Sequence, residues 1–103
     1  MSALTQRHLS EFHLREQLEH NGLSPTRWSS GPRAVYGVHG HRYGKILVVA
    51  SGSITFTIDG KRTVTMHPGD RLQLPPHTPH SAVVGREGVV CLEAHIAAAP
   101  SGT

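Results

Sequence analysis

The sequence predicts an all-β antiparallel sandwich or barrel preceded by one short helix, on three observations. Short β-prone segments recur from Trp28 onward, separated by Gly- and Pro-rich breaks. Ser53-Ile54-Thr55-Phe56-Thr57-Ile58 alternates polar and apolar residues, as a half-buried strand does. Asp59-Gly60 follows it directly, and that pair suits a type I′ turn, whose two central residues both need positive φ.

The elements follow in order. Ser10 is read as an N-cap, with Glu11 in the first turn where a carboxylate suits the helix dipole. Leu14 and Leu18 stand at i and i+4, and Asn21-Gly22 with Pro25 beyond it forms a stop, so a helix over 10–20 is predicted. Ser29-Ser30-Gly31-Pro32 is a breaker cluster. Tyr43 to Ala50 is strongly β-prone, and Ser51-Gly52 is read as its end. Thr63–Met66 is the return strand of the hairpin, and His67-Pro68-Gly69-Asp70 makes the next turn. Arg71–Leu74 is a strand halted by Pro75-Pro76. His80 to Val84 is another, 85–88 a turn, and Val89 to Ile96 the last strand. The resulting division is a helical segment at 1–27 packed on the barrel, the barrel itself at 28–97, and a flexible tail at 98–103.

At 103 residues and 37% hydrophobic, the chain has room for one core. Small domains bury a lesser share of their surface, so a homodimer is expected. The formal charge of +3 is scattered, with no basic run longer than Lys61-Arg62, and only five residues are aromatic by the count of two Phe, one Trp and two Tyr. That argues against nucleic acid as a partner and mildly favours anionic small-molecule ligands. The one cysteine, Cys91, cannot form an intrachain disulfide. The longest strictly apolar run, Ile46 to Ala50, is far short of a membrane span, and the amino terminus has no apolar stretch of the secretory kind. A cytoplasmic protein with no membrane partner is the expectation.

Nine histidines stand out in this composition. His39 and His41 are separated by Gly40, and residues i and i+2 of a strand share a face, so both imidazoles aim to one side. His80 ends Pro75-Pro76-His77-Thr78-Pro79-His80, where three prolines pre-order the backbone. Each signal alone also fits ordinary surface residues. His8, His13, His20 and His67 read as surface, and His77 as a loop residue.

Together these residues resemble the cupins. The first cupin motif is H-x-H, three or four residues, Glu, six residues and Gly, with a further Gly upstream. Here His39-Gly40-His41 is followed by three residues, Lys45, six residues and Gly52. The second is Gly, five residues, Pro-x-Gly, two residues and His, and here Gly69 is followed by five residues, Pro75, His77 at the second Gly position, and His80. The resemblance spans roughly residues 30–96 and is closest to small single-domain cupins of the conserved-barrel type. It implies an antiparallel double-stranded β-helix, the jelly-roll barrel. It also implies His39, His41 and His80 as ligands of a divalent transition metal (Zn, Fe, Ni, Mn or Cu). Beyond His77, three departures mark this chain. Arg33 replaces the upstream Gly, Val84 stands where some cupins have Asn, and Lys45 replaces the carboxylate ligand.

Lys45 has three options: deprotonated beside the ion as ligand or base, paired away to a carboxylate such as Glu93, or part of an anion-binding site without metal. The second is favoured, leaving three histidines and open positions of the catalytic kind. Cys91, Glu93 and His95 share one face of the last strand, either in the pocket or outside it. Tyr36 and Tyr43 share parity with Lys45 and can reach the pocket mouth. Since cupins include enzymes and binding domains alike, two readings stand. One is a metal-dependent enzyme acting on a small polar or anionic molecule, with Lys45 as catalytic residue. The other is a non-catalytic small-molecule-binding or sensor module. A purely structural dimerising barrel is a third, weaker one.

Overall fold

The computed structural model describes residues 3–96, with side chains from Glu11 onward. The expected tail at 98–103 lies outside the described residues. Helix α1 spans Ala3–His20, and six strands follow: β1 Thr26–Ser30, β2 Val35–His39, β3 Gly44–Ile58, β4 Arg62–Met66, β5 Arg71–Leu74 and β6 His80–Ile96. Among the described residues no helix is long and apolar enough to cross a membrane.

The helix starts seven residues earlier than the sequence reading placed it, so Ser10 lies inside it and does not cap it. Ala3, Leu4, Gln6 and Arg7 are good helix formers, and that propensity carries the helix past a serine that would otherwise start one. Its end is as read: the Gly22 N–H bonds to the carbonyl of Glu19, and Gly22 takes φ 82°, the left-handed C-terminal cap.

β3 and β6 are the frame of the fold. They pair antiparallel along their whole length, from Gly44↔Ile96 to Ile58↔His80. Ser51-Gly52 and 85–88, both read as breaks, lie inside these two strands. The pairing slips between Val49 and Ser51 and again between Gly52 and Ile54, so the ladder bulges there without ending. Gly52 and Gly88 carry the bend at φ 76° and 81°. A Cβ on Gly52 would overlap the backbone of Gly88 and lie 2.9 Å from the Cα of Val89, so β3 can approach β6 this closely only with glycine at 52. A glycine that bends a strand and one that ends it look alike in sequence.

The bend folds one continuous sheet into two facing layers. In the first, β3 from 44 to 48 is flanked by β5 and by the second half of β6, which also carries β1. In the second, β3 from 54 to 58 is flanked by β4 and by the first half of β6, which also carries β2. Asp59 and Gly60 take φ 55° and 65°, the expected type I′ hairpin between β3 and β4. The core fills the space between layers with Leu47, Val49, Ile54, Phe56, Met66, Leu72, Leu74, Val84, Val89 and Cys91.

Val48 and Leu92 point the other way, onto Leu18 of α1, with Leu14, Leu23 and Ile46 around them. This explains why Ile46 to Ala50 is apolar at every position: the first layer is covered on both faces, inside by the core and outside by the helix.

Candidate metal centre

His39 ends β2, His80 begins β6, and the two are paired across the ladder. His41 lies just beyond β2, where the loop is held by the N–H of His77 donating to the His41 carbonyl at 2.6 Å. The prolines of 75–79 therefore do more than deliver His80, since their loop also fixes His41. The three rings meet with centroids 4.4 Å (His39–His80), 5.1 Å (His39–His41) and 5.6 Å (His41–His80) apart. One ligating nitrogen from each lies within 4.8 Å of the others, a cluster that can hold a metal ion.

The tautomers are set by the backbone. A carbonyl only accepts, so Nδ1 of His39 donates to Gly37 at 2.8 Å and Nδ1 of His80 donates to Thr78 at 2.9 Å. Their Nε2 atoms then carry free lone pairs, the arrangement in which metal-binding imidazoles are held. The Nε2 atoms of His41 and His80 are buried and have no hydrogen-bond partner among the described residues. Two buried ring nitrogens left bare beside each other cost stability unless something else satisfies them, and a cation bound by their lone pairs does. The donor set fits a divalent transition ion.

Burial holds the His41 and His80 imidazoles below their ordinary pKa of 6.5. For His41 the Lys45 charge and the other two rings push the same way. For His80 the bond to the Thr78 carbonyl partly opposes the effect. Rings kept neutral are rings ready to bind metal.

Lys45 sits inside, 8% exposed, and its Nζ lies 3.4 Å from Oε1 of Glu93. The Trp28 indole N–H donates to the same oxygen at 3.1 Å. The contact with Glu93 that the second option for Lys45 names is thus present. The face shared by Cys91, Glu93 and His95 is the inner one: Cys91 is fully buried in the core, Glu93 lines the pocket, and exposed His95 stacks on Tyr43 at 3.8 Å. Burial and the Glu93 charge push the Cys91 thiol up to about 12, so it is inert packing. Tyr43 continues the stack onto His41 at 5.0 Å, while Tyr36 lines the pocket itself. His77, His13, His20 and His67 are exposed, and His8 lies outside the described side chains.

The pocket holds about 350 Å³ and opens beside His39 and His80. Sequence reasoning missed that Trp28 forms part of its wall. The signal was its lone large apolar side chain between Arg27 and Ser29, but only the Trp28↔Cys91 register turns it inward.

Both departures from the cupin glycines adopt the glycine conformation. Arg33 has φ 61° and His77 has φ 60°, so the backbone of each motif is kept although the side chain is not glycine.

A search among curated proteins found no match. Among solved structures, the chain is similar to that of the DMSP lyases RdDddP and RnDddQII, at 25% identity and TM-score 0.68 over 79% of this chain and 41% of that one. It is also similar to KdgF from Halomonas sp., at 25% identity and TM-score 0.62 over 71% of this chain and 67% of that one. A third is an RmlC-like cupin from Shewanella frigidimarina, at 25% identity and TM-score 0.64 over 77% and 68%. The chain thus spans about two fifths of the length of the DMSP lyase chain it matches. The family pattern described as Cupin domain matches residues 26–94, well over half of the sequence and the whole of the two-layered barrel up to Ala94. With both histidine motifs in register and the bent strands to present them, the chain belongs to the cupin family.

Proposed function

We propose that this cupin is a small metal-dependent enzyme acting on a small polar or anionic molecule, with His39, His41 and His80 holding one divalent transition ion. The bare, buried Nε2 atoms of His41 and His80 carry this reading, because nothing among the described residues satisfies them. Such an ion supplies Lewis acidity toward an oxygen-bearing substrate. The protein's own groups do the rest. Lys45 and Glu93 together are neutral, so the ammonium does not repel a cation as a lone lysine would. Lys45 gives one N–H to Glu93 and keeps two to orient a substrate oxygen or pass it a proton. The similarity to DMSP lyases supports a catalytic use of the barrel.

The reading includes a cytoplasmic homodimer. Val35, Val38 and Val83 lie exposed on or beside β2, whose outer edge pairs with no strand among the described residues. An apolar edge of this kind is commonly covered by another subunit.

Elemental analysis of the purified protein beside its His80→Ala variant tests the metal. Near-stoichiometric metal in the wild type and its loss in the variant are expected. Equally little metal in both, with transition ions added in excess, ends the proposal. Ligand affinity that survives chelation would point instead to a non-catalytic binding module.

A further inference from the structure

Resting on that reading, we infer that the substrate is amphipathic: a small carboxylate whose body is a ring or a branched apolar group. The pocket is polar at one end only. His39, His80, Lys45 and Glu93 are gathered there, and a divalent ion among them with the neutral Lys45–Glu93 pair gives a net positive end that selects an anion. The two unspent Lys45 N–H groups suit a carboxylate oxygen.

The rest of the cavity offers little hydrogen bonding, with Ser29 the one further polar residue of its lining. Trp28 and Tyr36 pack edge to face at 6.2 Å and form one wall, but their polar atoms are already taken. The indole N–H goes to Glu93 and the phenol O–H to Oγ of Ser30 at 2.8 Å. What they present to the cavity is ring carbon. The apolar lining is completed by Leu47, Ile54, Phe56 and Ala82, all buried and all without a polar side-chain atom. A sugar or other polyhydroxylated molecule would strip its hydroxyls of water here and find only Ser29 to partner them. About 350 Å³ is at the small end of ligand cavities, enough for one ring with its carboxylate.

Trp28 is the only tryptophan, so its fluorescence reports this pocket without a label. The zinc-loaded protein is titrated with benzoate, acetate and benzyl alcohol, and zinc content is measured on the same samples. Benzoate is expected to bind at least roughly tenfold more tightly than acetate, since even partial transfer of a ring from water exceeds the ~1.4 kcal/mol that tenfold represents, and more tightly than benzyl alcohol, which has the ring without the charge. Tyr36→Ala, at a half-exposed position, is expected to weaken benzoate but not acetate, and Lys45→Met to weaken both anions but not benzyl alcohol. Acetate equal to benzoate overturns the apolar half of the inference, and benzyl alcohol equal to benzoate overturns the anionic half. Failure to load zinc counts against the metal reading alone. The three probes are then ranked on the metal-free protein, where the Lys45–Glu93 pair is neutral: benzoate must still exceed acetate there, and equality of the two overturns the apolar half in that form as well.

Discussion

Nζ of Lys45 and Oε1 of Glu93 lie 3.4 Å apart between two strands of the same layer, on side chains 10% and 19% exposed. They occupy diagonal positions, since Leu47 is the direct partner of Glu93 and His95 that of Lys45. The carboxylate that the first cupin motif normally supplies is thus replaced by a lysine, and a carboxylate from the neighbouring strand compensates its charge.

Removing one partner leaves a nearly buried charge bare. Glu93→Gln is therefore expected to destabilise the protein by about 1–3 kcal/mol and to weaken zinc binding, whereas Lys45→Met strengthens zinc binding by about tenfold. The double variant Lys45→Met/Glu93→Gln should lose less stability than the two single effects sum to, because no charge is left bare. Urea unfolding and zinc competition against a chromogenic chelator measure both. Additive single effects in the double variant would show that the two charges do not interact.

Arg33 and His77 hold φ near +60°, a region that disfavours side chains by roughly 1–2 kcal/mol. Arg33→Gly and His77→Gly are expected to stabilise by about 0.5–1 kcal/mol each, the relief exceeding the added freedom of the unfolded chain. Metal affinity should stay unchanged, because glycine keeps the N–H that His77 donates to His41. His77→Pro removes that N–H and forbids the φ, so it should lose both stability and metal. Thermal melts with and without zinc distinguish the three variants.

The metal-free protein should weaken in mild acid. His41 and His80 titrate below 6.5 when folded and near 6.5 when unfolded, so the unfolded chain binds more protons in between. Their contribution is present above pH 6.5, is lost as the pH falls below it, and levels off under the folded values. A melting temperature that falls between about pH 7.5 and pH 5, with a shallower fall in His41→Gln/His80→Gln, is the expected outcome. An unchanged slope in that variant would assign the effect to other groups.

Leu18 is 1% exposed against Val48 and Leu92. Leu18→Ala should cost about 2–4 kcal/mol in urea unfolding. Trp28 fluorescence in the folded state should not change, because the helix covers the outer face of the layer and the pocket opens on the inner one.

Much of the site was legible because its signals are local. His39-Gly40-His41 states a shared face, and the prolines before His80 state a rigid approach. The turn at Asp59-Gly60 was equally plain. What escaped depends on register. Whether Cys91, Glu93 and His95 face inward, and whether Trp28 meets them, is decided by a pairing between β1, β3 and β6 that no single segment encodes. The continuity of β3 through Gly52 escaped for the same reason, because the glycine that permits the bend needs the opposing Gly88 to explain it.

That continuity reaches beyond shape. With β3 and β6 each threading both layers, neither half can unzip while the other stays closed, and the ligand loops are anchored to strands that also carry the far end of the barrel. The slowest-exchanging amides should therefore form one class spread along both strands, released together in a single cooperative opening. Damage at the Gly52–Gly88 crossing would then be felt at the histidines, although it lies in the middle of strands that meet them only at their ends.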